Sequence, residues 1–181
     1  MAKTAEISFN KTKAACDKKL RKEILAAFND KEYGLAEITW KNDHADLLKR
    51  AVGALAEKVL VKHGLKLTGV RLGSMKNIRH YRDINADGIL ATVTTSDDSM
   101  LKIFIRTTTT CGYTRVASVG YLWDVQLLHD RTYAAAYNAY GADPKEAAQS
   151  ARVTYCGPAE IKSARVYDAV HDGDFEAVVR L

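Results

Sequence analysis

The chain reads as a single α+β domain: two N-terminal helices, an antiparallel meander of about five strands, two later helices and a C-terminal β-hairpin. Three observations predict this. Hydrophobic spacing is helical as far as Gly64 and then changes to a period of two. The turn residues beyond that point follow one another too closely to admit a crossover helix, so consecutive strands are antiparallel neighbours. The 181 residues suffice for one sizeable core, and no stretch rich in Gly, Ser and Pro divides them.

The first helix is predicted from about Thr12 to Phe28. Cys16, Leu20, Ile24 and Ala27 fall on one face, Asn10 or Thr12 supplies a cap, and Asn29-Asp30 is a stop. Leu35 to Trp40 is a short strand of poor alternation. The second helix follows a cap at Asn42 or Asp43. Its broad stripe of Leu47, Leu48, Ala51, Val52, Leu55, Val59 and Leu60 predicts deep burial. Gly64, after His63, suits the left-handed position that ends a helix.

Strands are predicted at Leu65 to Leu72, Ile78 to Asp83, Ile89 to Thr95, Leu101 to Thr109 and Tyr113 to Trp123, all rich in Val, Ile, Thr and Tyr. Turns fall at Gly73-Ser74, Asp87-Gly88, Asp97-Asp98 and Cys111-Gly112, and Gly69 marks a bulge. A third helix is expected from Asp124 to just before Gly141. A fourth starts at Asp143-Pro144-Lys145-Glu146, where an N-cap, a first-turn proline and a capping-box glutamate stand in the right order. Gly157-Pro158 ends it. Ile161 to Val170 and Phe175 to Leu181 form the hairpin, turning at Asp172-Gly173.

Composition narrows the functional classes. No segment approaches the 18 or so apolar residues of a membrane span, and Met1 to Asn10 has no apolar secretory core. Cys16, Cys111 and Cys156 are an odd number without a Cys-x-x-Cys pair, which predicts reduced thiols. A cytoplasmic protein with no membrane partner is expected. No residue spacing specifies zinc, a phosphate loop or a nucleophile, so neither metal nor cofactor nor catalytic residue is predicted. His80 with Asp83, His129 with Asp130, and His171 with Asp172 and Asp174 are weak pairings of imidazole and carboxylate.

Charge is more informative. The formal net charge is +5, and residues 11–22 hold Lys11, Lys13, Lys18, Lys19, Arg21 and Lys22 against Asp17 alone, an excess equal to that of the whole chain. On a helix Lys11, Lys18 and Lys22 share a narrow sector flanked by Lys19 and Arg21, opposite the apolar face. Such a ridge suits phosphate backbones or an acidic protein surface; its plain alternative is a solvated helix exterior. A second candidate is the sheet face carrying Lys102, Phe104 and Arg106, extended by Tyr113 and Arg115. Rings and cations together suit single-stranded nucleic acid, unless apolar neighbours mean that the face is covered. A third is the stripe of Tyr133, Tyr137 and Tyr140 on the third predicted helix, suited to a protein interface or to self-association.

The expectation that follows is a non-catalytic binding protein whose partner is nucleic acid or a nucleic-acid-handling protein. A protein interaction or assembly module using the tyrosines, with homo-oligomerisation compatible, is the alternative. A small enzyme with an unrecognised site is the third reading.

Overall fold

A computed structural model of the chain describes residues 13–41, 45–80, 83–129, 132–155, 161–168 and 176–181. Lys11, Cys156, the predicted caps Asn10, Thr12, Asn42 and Asp43, and the predicted turns at Gly157-Pro158 and Asp172-Gly173 lie outside the described residues.

A 3-10 turn, Ala14–Cys16, leads into helix α1, Lys18–Phe28. The helix starts later than its apolar spacing predicts because Asp17 caps it, its carboxylate accepting the Leu20 N–H at 3.0 Å. Helix α2, Asp46–Lys62, ends as expected with Gly64 at φ +71°. Leu35–Glu37 is a further 3-10 turn, so the weak early strand is confined to β1, Thr39–Lys41.

The sheet departs from prediction in three places. First, β2 (Leu67–His80) and β3 (Asp83–Thr95) run straight through the expected turns at Gly73-Ser74 and Asp87-Gly88. Gly73, Ser74 and Gly88 are instead positions in the β2–β3 ladder, Gly73 opposite Leu90, Ser74 opposite Ile89 and Met75 opposite Gly88. Gly88 serves close packing instead of a turn: a Cβ there would stand 2.2 Å from the Ile105 carbonyl oxygen on the next strand. The turns at Asp97-Asp98 and Cys111-Gly112 do form, the latter with both φ positive (52° and 81°), as a two-residue hairpin requires. They join β3 to β4 (Met100–Thr110) and β4 to β5 (Tyr113–His129).

Second, the predicted third helix is absent. Its first part is the far end of β5, and its tyrosines lie on β6, Thr132–Gly141. The alanines of that segment favour a helix in isolation, but tertiary pairing overrides them. β6 lies antiparallel to β5 and also meets β2, so it completes a ring that would otherwise leave two open edges.

Third, the sheet is not purely antiparallel. β2, β3, β4 and β5 form an antiparallel meander of four strands where about five were expected, because the strand expected at Ile78 to Asp83 is not separate, Ile78 belonging to β2 and Asp83 to β3; β6 then meets β2 in parallel, with Arg79 opposite Ala139. The order β4-β3-β2-β6-β5 returns to β4 and closes. Helix α3, Pro144–Thr154, then begins at the predicted capping box: Asp143 accepts the Glu146 N–H at 2.9 Å, and Glu146 accepts the Ala142 N–H at 2.8 Å. The terminal hairpin, β7 (Ser163–Asp168) and β8 (Glu176–Arg180), pairs with the far half of β5 as a wing outside the ring.

Alternation therefore fills two cores. Ile78, Ala86, Phe104, Leu122 and Tyr140, one from each strand of the ring, are buried together inside it. The opposite face carries Ala91, Ile103, Ile105, Tyr121, Trp123 and Val125, which join Leu20, Ile24, Leu48, Leu60, Ala148 and Val166 in the main core. Three α-helices thus cover one side of an eight-stranded sheet among the described residues.

Candidate functional site

The basic ridge of α1 is partly as expected. Lys18, Lys19 and Lys22 are exposed while Leu20 and Ile24 are fully buried. Arg21 departs from it. It shares the side of Leu25 and Phe28, is only 6% exposed, and lies with its guanidinium 4.9 Å from the centre of the Trp123 ring. Its backbone carbonyl also accepts the Tyr121 hydroxyl at 2.9 Å. Arg21 locks α1 onto the sheet and is not part of an exposed ridge.

The mixed sheet face is divided by ring closure. Lys102, Phe104 and Arg106 do share a face, but it is the inner one, and Phe104 is fully buried with its ring 4.8 Å from that of Tyr140. The expected register also slips by one. A bulge after Arg106 sets Phe104 opposite Gly120 and Arg106 opposite Ser118, where an unbroken hairpin would have set Val119 and Ala117. Tyr113 and Arg115 remain exposed near the hairpin tip, with Arg115 Nε donating to Thr108 Oγ1 at 3.2 Å. No continuous stacking platform results.

The tyrosines do not form a stripe. Tyr140 is buried in the ring with its hydroxyl 3.2 Å from Ser118 Oγ. Tyr137 is half-buried beneath the Arg79 guanidinium at 5.7 Å, and Tyr133 stands 59% exposed. Their strand partners, Leu122, Val125 and Leu128, place them on different faces.

What sequence spacing did not bring together is the wall opposite α1. Between the first turn of α1 and the first turn of α3 lies a cleft of about 660 Å³ lined by Cys16, Lys18, Arg21, Lys22, Asp143, Pro144, Lys145 and Val179. Three exposed lysines from helices far apart in sequence therefore face one space. Among the described residues the only carboxylate lining it, that of Asp143, is already engaged in the α3 cap. A second hollow, of about 390 Å³, shares Lys22, Leu25 and Ala142 with the first and continues to Ser118 and Tyr140. The α3 capping box was visible in the sequence, but nothing there marked Lys145 as a neighbour of Lys18.

Two further contacts hold α1 and the turn before it in position. At one end, Asp97 in the β3–β4 turn accepts the Ala14 N–H at 2.8 Å, the Ser99 N–H at 3.1 Å and the Thr95 hydroxyl. Burial works against its ionisation, but these hydrogen bonds outweigh burial and hold the carboxyl below its ordinary range. On the helix itself, Glu23 and His63 Nε2 lie 2.7 Å apart, tying α1 to the end of α2. That hydrogen bond lowers the Glu23 pKa, against a smaller opposing effect of desolvation.

No family model, curated protein or solved structure matches this chain. Among the described residues, no three His, Cys, Asp or Glu side chains gather in a metal-binding group, and no helix is long and apolar enough to cross a membrane.

Proposed function

We propose that this is a binding protein for a phosphate-bearing polymer, nucleic acid being the natural ligand, and that it binds through α1 and the adjoining cleft. The observation that carries this reading is the convergence of Lys18, Lys22 and Lys145 on one cleft whose single acidic side chain among the described residues is engaged in a helix cap. Ammonium groups held around a concave surface concentrate positive potential where a phosphate chain can lie, and each contact releases condensed counterions. Among the described residues no base-reading element accompanies the lysines, so the reading is one of sequence-tolerant binding.

The test is a titration of labelled single- and double-stranded DNA and RNA at two salt concentrations. Three neutralised phosphates predict that duplex affinity falls roughly 40-fold between about 50 and about 200 mM salt. Replacing Lys18, Lys22 and Lys145 together with Gln should flatten most of that dependence while leaving the helices intact, since Gln and Lys have similar helix propensity. Absence of binding at low salt, or unchanged affinity in the triple variant, overturns the reading.

A further inference from the structure

β8 is the outer edge of the sheet: among the described residues its one strand neighbour is β7. Exposed edges invite pairing, and proteins usually discourage it with short strands and charged side chains. β8 is short and charged, but its charges are arranged symmetrically about its centre, Glu176-Ala177-Val178-Val179-Arg180. Val178, the central residue, is 65% exposed.

The phase of the ladder matters next. Leu181 donates its N–H to the Lys162 carbonyl at 2.9 Å. In an antiparallel ladder the residues that face the neighbour alternate, so 177 and 179 also turn their backbone groups toward β7. Glu176, Val178 and Arg180 turn theirs outward. We infer that β8 pairs antiparallel with β8 of a second copy of this chain, on a two-fold axis at Val178, to form a homodimer with a continuous sheet.

This register alone uses every outward N–H and C=O of the three residues. It sets Val178 against Val178 and Glu176 against Arg180 of the second copy, on both sides of the axis. Glu176 already lies 3.9 Å from Arg165 on β7, so its carboxylate would sit between two guanidinium groups. A shift of two residues would put Glu176 opposite Val178 and lose both ion pairs. A five-residue edge is small beside the roughly 1,200 Å² of a stable complex, so the dimer is weak and concentration-dependent. The axis stands perpendicular to the sheet, which puts the helices of both copies on the same side. Val179, which lines the cationic cleft, pairs with Ala177 of the second copy, so the two clefts adjoin.

Sedimentation equilibrium of the full chain from about 5 to about 500 µM tests this, with a dissociation constant on the order of tens of micromolar expected. Val178→Pro removes an outward donor that β7 does not use, so it should weaken association at least tenfold while the melting temperature stays within a few degrees. Glu176→Arg and Arg180→Glu should each weaken it, and the double variant, which restores opposite charges across the axis, should recover it. A monomer at the highest concentration, association indifferent to Val178→Pro, or a double variant no better than its parents overturns the inference.

Discussion

From Gly120 to Trp123, in the middle of the ring, both faces of β5 are buried. Leu122 points inward at 5% exposure, and Tyr121 and Trp123 point toward the helices at 3% and 1%. Where the same strand continues into the wing, Val125 and Leu127 stay fully buried on the helix side, but Gln126 and Leu128 on the other side are only half-buried. One strand thus obeys two hydrophobic patterns, and the number of covered faces decides which. A strand buried on both faces reads as a near-continuous apolar run, and a strand buried on one face alternates.

Phe104 is the side chain on which closure of the ring depends most. The inner core holds one principal side chain from each strand, with little to collapse into a void, so Phe104→Ala should cost about 3–5 kcal/mol in chemical denaturation. A cost near 1 kcal/mol would mean that the ring is not tightly closed. Gly88→Ala tests the same closure from the backbone. Its Cβ would meet the Ile105 carbonyl oxygen at 2.2 Å, and a loss of about 2–3 kcal/mol is expected as β3 and β4 part.

Asp97 ties the 3-10 turn before α1 to the β3–β4 turn. Asp97→Asn should cost about 1–2 kcal/mol at neutral pH through weakened hydrogen bonds to Ala14, Ser99 and Thr95. The folded-state pKa lies below that of an ordinary aspartate, so the carboxylate's contribution is full above the ordinary range and is lost as pH falls through the folded pKa. The gap between wild type and variant should therefore narrow below about pH 4, as measured by thermal melts across pH. A gap that widened in acid would contradict the sign. The smallest effect belongs to the wing: Val178→Thr, on an exposed β-branched position, should change monomer stability by less than about 0.5 kcal/mol at low protein concentration.

These contrasts explain what was legible in the sequence. Leu101 to Ile105 announces itself because burial on both faces leaves little room for polar residues. The cap at Asp143, the turn at Cys111-Gly112 and the left-handed Gly64 are local chemistry, and local chemistry survives folding unchanged. The β6 segment was illegible because an alanine-rich stretch prefers a helix until a gap between β5 and β2 needs small side chains; Ala139 is fully buried there. Gly88 misled for a related reason, since a glycine that permits close backbone approach cannot be told by spacing from one that permits a turn; Gly73, where a Cβ would meet open space, has no such packing role. Of the cleft, Lys18 and Lys22 were readable from helical phase, but Lys145 joins them only through tertiary packing, and the depth of Arg21 depends on Trp123, a hundred residues away.

The parallel join between β2 and β6 carries a consequence for how the chain folds. Every other pairing in the ring links consecutive strands, so each can form from a short connection. The join brings together Arg79 and Ala139, sixty residues apart in sequence, and bringing such distant segments together costs more chain entropy than closing a hairpin. That cost is met only after the intervening strands are in register. The meander is then the early event and the seam the late one, and refolding speed is governed by the closure of a circle whose arc is already drawn.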